Sequence, residues 1–385
     1  MKKLVCMVIV VLMAVMAFAG CAPAEPEDTT SNAPTEESPQ TTDSEAPEET
    51  SSSEAQGFEA TLAGKGEGLV VGLSMGDLSS TYIVAASQYF QKLMEAAGAE
   101  VQIVNCDNNV SLQSDQIRDF INMGVDIIAV HANDAVGVAP AVNEAIEAGI
   151  PVVGFNKNIE GADLSFAVYS SDNVATGAKA AQWLADKAAE LGVKNPKVAV
   201  MQGTMTASDA YERQEGIEQV AEETGMVLLN EPCDWLADSA ESALNDVLTA
   251  NPDLFGIITH CDSMVPGVIS ALNQNGLAVD ASDENHIYFA GIDGDPTGLD
   301  ALDSGIMDIG IEQNPLALAT VIAKGCLEVV AKGETLNGEI TKMETNEIDK
   351  SMITDPARWA TYDPETATEL WEGTEETWNA YLTDY

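Results

Sequence analysis

Basic residues are scarce in this chain: 16 Lys and Arg stand against 63 Asp and Glu, for a formal net charge of −47. No basic patch can be assembled from so few cations to neutralise phosphates, which excludes nucleic acid as a partner. The acid excess reads as a solvated, self-repelling surface that keeps the chain in solution and says nothing about a ligand. The three histidines, His131, His260 and His286, lack metal-ligand spacing, so no metal and no cofactor are expected. Of the six cysteines, Cys6 and Cys21 fall at the N-terminus. Cys106, Cys233, Cys261 and Cys326 match no zinc motif and are too few for a disulfide framework. Buried thiols are the expectation for these four, with a Cys233–Cys261 bridge as the alternative.

Only one long apolar run occurs, in the opening MKKLVCMVIVVLMAVMAFAGCAPA. Two lysines, an apolar stretch and small residues before a cysteine make a secretory signal over residues 1–21. Its end, Phe18-Ala19-Gly20-Cys21, resembles the lipobox of bacterial lipoproteins, which makes Cys21 the lipidation site. An uncleaved anchor is the alternative, although the run is short for a bilayer span. Either way the body of the protein is expected outside the cytoplasm, tethered to the cell membrane. Residues 22–67 read as a disordered acidic stalk: residues 22–57 carry Pro, Ser, Thr and acids without one Lys or Arg, and cannot bury enough apolar surface to offset ordering.

From residue 68 a rhythm sets in. Short apolar runs (GLVVGLSM, VQIVN, DIIAVH, PVVGF, LSFAVYS, KVAVMQG, MVLLN, FGIITH, IYFAGID, MDIGIEQ) alternate with amphipathic stretches of helical period. Strands alternating with helices mean βαβ units and parallel sheet. Gly98, Gly124, Gly149 and Gly276 stand where left-handed helix C-caps are needed. The length exceeds what one sheet usually holds, so the fold class expected is α/β with two doubly wound lobes.

Ligands of such sheets sit beyond the carboxyl ends of the strands. The residues there are polar, with aromatics and few nucleophiles: Ser79–Tyr82, His131–Asp134, Asn156–Lys157, Ser208–Arg213, Cys233–Trp235, His260–Asp262, Asp293–Asp295 and Glu312–Asn314. Carboxylates, amides and an Arg fork match vicinal hydroxyls, and an aromatic ring can cover the C–H face of a sugar. Gly72-Leu73-Ser74-Met75-Gly76 fits the nucleophile-elbow pattern, but it ends the first strand of the domain, where no earlier loop can supply an oxyanion hole. No enzyme is expected. Asp209 and Arg213, four apart in GTMTASDAYER, are either a helix-surface ion pair or, at a strand end, cleft residues with Asp209 as N-cap.

Between residues 69 and 345 the chain resembles the type 1 periplasmic sugar-binding proteins of bacterial ABC transporters. The resemblance rests on VVGLSMGDLSSTY, DNNVSLQSDQI, IPVVGFNK, SSDN, MQGTMTASDAYER, CDSMVPGVISAL, FAGIDGDP and IEQNP, in this order. It implies lobes over 68–171 with 314–342 and over 172–313 with 343–358, a three-segment hinge near 171–173, 293–296 or 312–314, and 342–345, and a tail over 359–385. It also implies sugar contacts from Asn156 and Lys157, Asp209 and Arg213, rings from Tyr82 and Trp235, and contacts from Asp293 and Gln313. His131 stands where ribose binders carry Asn. Ser80 replaces an acid of the galactose/glucose type, Ala207 a His and Cys261 an Asn, and the calcium loop of that type is missing. The implied function is a monomeric importer component that hands a monosaccharide or polyol to a membrane permease; a sugar or autoinducer sensor is the alternative.

Overall fold

The computed structural model describes residues 57–169, 171–335, 340–354 and 358–382. The signal, Cys21 and residues 22–56 of the stalk lie outside these residues. The end of the stretch read as a disordered stalk is ordered instead: residues 57–62 are helical, and the apolar Phe58 and Leu62 are buried in the first lobe's core. No helix among the described residues is long and apolar enough to cross a membrane.

The first five strands are β1 (Val70–Met75), β2 (Glu100–Asn105), β3 (Ile127–His131), β4 (Val152–Phe155) and β5 (Phe166–Tyr169). With β11 (Ile340–Lys342) they form one all-parallel sheet in the order β11-β5-β4-β3-β1-β2. The second sheet repeats the same winding. Its strands are β6 (Lys197–Gln202), β7 (Val227–Pro232), β8 (Leu254–Thr259), β9 (Tyr288–Asp293) and β10 (Ile309–Glu312), closed by β12 (Asn346–Ile348). The order is β12-β10-β9-β8-β6-β7, parallel except for β12, which runs antiparallel to β10.

Parallel strands buried on both faces need apolar residues at odd and even positions alike. In β3, Ile127 and Ala129 join one core while Ile128 and Val130 join the core on the opposite face. In β8, Ile257 and Ile258 divide the same way. The connecting helices are α1 (Thr81–Ala96), α2 (Val110–Met123) and α3 (Ala139–Glu147) in the first lobe. The second lobe has α4 (Asn173–Leu191), α5 (Ser208–Thr224), α6 (Ala237–Ala250), α7 (Val265–Gln274) and α8 (Pro296–Ser304). Gly98, Gly124, Gly149 and Gly276 all hold positive φ, the backbone state that stops a helix without a Cβ penalty.

The chain leaves the first sheet after β5, returns after β10 into α9 (Pro315–Glu328), which packs on α1, and passes from β11 to β12. Of the two places considered for the middle passage, it occurs at 312–315, because β9 and β10 belong to one sheet. A further passage follows. Ile348 and Ile353 pack in the second lobe, but Trp359, Leu370 and Trp378 belong to the first lobe's core. The tail, ending in α10 (Thr374–Ala380), is held there by three side chains of α1 and α9. Tyr89 bonds Thr374 and accepts from the Trp371 amide, Lys92 donates to the Ala367 carbonyl, and Lys324 to those of Trp378 and Tyr381.

Candidate functional site

The carboxyl ends of both sheets face one narrow cavity, whose non-atom space, its opening to solvent included, is ≈ 370 Å³. Its wall is Asp77, Ser80, Tyr82, Ile83, His131, Asn156, Lys157, Asp209, Arg213, Trp235, Cys261 and Asp293. Every ligand contact that the resemblance implies, and Ser80, His131 and Cys261 with them, lines it except Gln313, which lies directly behind. Gln313 donates from Nε2 to Asp293 Oδ1 at 2.6 Å and accepts from Ser171 Oγ at 2.7 Å. It thus connects two of the chain's passages between lobes to the cavity wall. Asp77 and Ile83 were not anticipated. Asp77 belongs to the same loop as Ser80, so this loop does carry an acid, displaced three residues toward β1; the Gly-Asp pair directly after the strand was the available signal.

The lobes meet around the cavity. Ala135 N–H donates to Thr206 O at 3.1 Å, Asn158 N–H to Ser208 Oγ at 3.3 Å, and Tyr211 Oη to Glu160 Oε1 at 3.1 Å. Thr81 at the start of α1 donates to Asp295, the N-cap of α8. Lys157 Nζ stands 3.5 Å from Asp209 Oδ1.

Asp209 is not the N-cap of α5. The helix begins at Ser208 with Ala207 as cap residue and no side-chain cap bond, because Asp209 turns into the cavity toward Lys157. Arg213 is 3% exposed. Its Nε donates to Asn173 Oδ1 at 3.1 Å, one terminal nitrogen donates to the His260 carbonyl, and Asp293 Oδ1 lies 3.9 Å away. The surface-pair reading of Asp209 and Arg213 is thereby excluded. Two glycines place Arg213. A Cβ on Gly177 of α4 would meet the Arg213 carbonyl oxygen at 2.0 Å, and one on Gly216 of α5 would meet Val174 O at 1.9 Å. The two helices pack backbone against backbone there.

Trp235 forms the second lobe's aromatic wall, with Lys157 Nζ and the Arg213 guanidinium each 5.8 Å from its ring centroid. Gly203 makes room for it, since a Cβ there would lie 2.2 Å from the indole. Asn156, Trp235 and Asp293 all have positive φ, at 60°, 66° and 122°. Such backbone states are costly outside glycine and persist where surrounding contacts over-determine them. All three occur at strand ends and aim side chains into one space.

Burial sets the charge states. Desolvation, and then the Lys157 charge, bring the His131 ring down to about 3, so it is neutral at ordinary pH. Both of its nitrogens lack a partner among the described residues, which leaves one donor and one acceptor unmet on a ring that lines the cavity. Hydroxyls, each able to donate and accept, suit either nitrogen. Desolvation raises Asp293 to about 7, against the pull of Arg213. Burial also pushes up the Cys261 thiol. Cys106, Cys233, Cys261 and Cys326 are all free and buried, so the Cys233–Cys261 bridge does not form. Ser74 of the elbow-like motif is fully buried and accepts from Gln113 Nε2 at 3.2 Å; it is a core residue with no access to the cavity.

The histidine makes one measurable prediction. A His held neutral in the fold takes up a proton when it unfolds, so its contribution to stability is present above pH ~6.5 and lost as pH falls toward 3, at up to about 1.4 kcal/mol per pH unit. Asp293 acts oppositely: its contribution is complete below the unfolded carboxylate value of about 4 and fades as pH rises through 7. His131→Asn should therefore flatten the acid limb of a urea-unfolding series between pH 7 and 5, leaving the Asp293 contribution in place. An acid limb as steep as that of the unaltered chain contradicts a buried neutral ring.

The family model described as periplasmic binding protein domain matches residues 71–335. The chain belongs to this family. Among its relatives is the ribose import binding protein of Bacillus subtilis (strain 168), 28% identical over 286 residues, covering 74% of this chain and 89% of that protein. The xylitol-binding protein of Mycolicibacterium smegmatis is 29% identical over 268 residues, covering 69% and 72%. Among solved structures, an ABC transporter solute binding protein from Mycobacterium smegmatis with bound glycerol superposes with a TM-score of 0.66 at 25% identity, covering 74% of this chain and 96% of that one. A galactofuranose binding protein matches the fold with a TM-score of 0.67 at 23% identity, covering 74% and 96%. The α/β architecture of two doubly wound lobes is that of this periplasmic binding family.

Proposed function

We propose that this protein is the extracytoplasmic solute-binding component of a carbohydrate ABC importer. It binds a monosaccharide or polyol between its lobes and delivers it to a membrane permease, without covalent chemistry and without a cofactor. The observation that carries this reading is the wall of the cavity: Tyr82 of one lobe and Trp235 of the other, with polar groups between them that donate and accept in pairs. Arg213 and Lys157 give the site donors with fixed charge, Asp77 and Asp209 give acceptors, and neutral His131 supplies one of each. This donor and acceptor set fits hydroxyls, which do both. Two buried cations in the wall disfavour an amine.

Import is the better-supported role because the relatives named above are import and sugar- or polyol-binding proteins. The lobes are assigned as 68–171 with 314–342 and 172–313 with 343–358, closing by hinge motion at the passages between them. The protein acts as a monomer, held to the membrane by lipid at Cys21 and set off from it by the acidic stalk. A thermal-shift screen of the full chain against pentoses, hexoses, polyols, nucleosides and amino acids tests the reading. A ligand at 100 times its Kd should add about 2.7 kcal/mol of stability. Stabilisation is expected from a sugar or polyol; a response confined to amino acids overturns the proposal.

A further inference from the structure

The tail contributes one residue whose surroundings differ from those of the rest of the tail. Trp359 is 3% exposed and stands between the two lobes' contributions to the cavity. Its ring meets Tyr82 of the first lobe edge-on, with centroids 5.9 Å apart and planes at 90°. Its indole Nε1 donates to the main-chain carbonyl of Asp293 in the second lobe at 3.1 Å. That carbonyl belongs to the residue with φ of 122°, and it also accepts from the Gln313 amide at 3.1 Å. The neighbouring Arg358 pairs with Glu312, the residue just before Gln313. Beyond Trp359 the tail is fastened to the first lobe by Tyr89, Lys92 and Lys324.

A non-glycine residue keeps such a backbone angle only when its neighbours hold it there. Two donors, the Gln313 amide and the Trp359 indole, hold the Asp293 carbonyl, while Gln313 Nε2 holds the carboxylate. The indole is the only one of these that comes from the tail. We propose that Trp359 is a positioning residue of the binding site: it fixes the backbone of Asp293 and the ring of Tyr82 together, so that a ligand contact from each lobe is set by the tail. The proposal rests on the assigned binding site and goes beyond it by making the tail part of that site. Trp359 itself does not line the cavity, so it acts through the two residues it touches.

Trp359→Phe keeps a ring against Tyr82 and removes the donor to Asp293. Trp378→Phe alters the tail's other buried tryptophan, in the same core but on the side of α9, and serves as the comparison. The probes are D-ribose, D-xylose, D-galactose and xylitol, titrated calorimetrically, with amide hydrogen exchange followed by NMR on the ligand-free full chain. In the unaltered chain the Trp359 indole N–H should be protected from exchange. Trp359→Phe should weaken whichever probe binds by at least 10-fold and speed exchange of the Gln313 amide by at least 10-fold, with the β9 core amides unchanged. Trp378→Phe should lower the melting temperature while leaving affinity and Gln313 exchange as they were. An unprotected indole overturns the proposal, as does unchanged affinity in Trp359→Phe or an equal loss in Trp378→Phe. If none of the four probes binds the unaltered chain, the sugar or polyol that stabilises it most in the thermal-shift screen takes their place; if no sugar or polyol does, the sugar reading fails on its own, and the Gln313 exchange rate alone decides the positioning role.

Discussion

Arg213→Ala should weaken sugar binding by at least about 100-fold. Hydrogen bonds to a charged group contribute about 1.5–3 kcal/mol each, and the guanidinium offers a planar fork of donors to a hydroxylated ligand. Losing two such bonds exceeds the 2.7 kcal/mol that separates a 100-fold change in Kd. The unliganded fold should also suffer. The Asn173 side chain and the His260 carbonyl lose their donor, and Asp293 loses its nearest cation. Stranding a buried charge usually costs 3–5 kcal/mol, but Asp293 already sits near 7 and can protonate. The expected loss is therefore smaller, about 2 kcal/mol, from the unmet polar groups. Arg213→Lys keeps the charge without the fork and should fall between. Calorimetric titration and urea unfolding of the same samples check both parts; affinity within a few-fold of the unaltered chain contradicts the role given to Arg213.

Gly177→Ala should destabilise the second lobe and loosen the site at once. Helix propensity alone favours alanine by about 1 kcal/mol. The packing opposes it, because the new Cβ would sit 2.0 Å from the Arg213 carbonyl oxygen, 2.8 Å from its carbon and 2.9 Å from its Cα. These are backbone atoms of α5 and cannot swing aside. Overpacking of this kind costs about 1–3 kcal/mol and sometimes more, so a net loss of about 2 kcal/mol is expected, with a melting temperature lower by several degrees. The helix that must move carries both Asp209 and Arg213, so affinity should fall with stability. A raised melting temperature, as propensity alone would give, contradicts the close approach of α4 and α5.

These two residues also show where the sequence was readable. Arg213 was found because it follows an apolar run in a βα rhythm, and such sheets present their ligand sites at strand ends. The same argument brought His131, Asn156, Trp235 and Asp293 into one list before any geometry was known. Gly177 was not found. A glycine inside a helix reads as a weak breaker, and only the neighbouring helix shows that a Cβ would not fit. Asp209 was placed as an N-cap because acids favour that position; its attraction to Lys157 across the cavity is a tertiary effect and overrode the local preference. Asp77 was missed because a loop has no period from which to infer which of its polar residues turns inward. Trp359 was not found either, because it lies in a stretch that carried no expectation beyond that of a tail. Nothing local distinguishes it from Trp371 or Trp378, and its place behind Asp293 follows from a passage between the lobes that the rhythm does not announce. The middle passage was left open between 293–296 and 312–314; pairing of β9 with β10 decides for the later one.

The most direct test is a crystal structure of the protein with the sugar or polyol that stabilises it most in the thermal-shift screen. The account predicts the ligand in the single space lined by residues of both lobes, with its C–H face against Trp235 and its hydroxyls within hydrogen-bond distance of Arg213, Asp293 and His131. A ligand bound outside that space, or inside it without contact to Arg213 and Trp235, would contradict it.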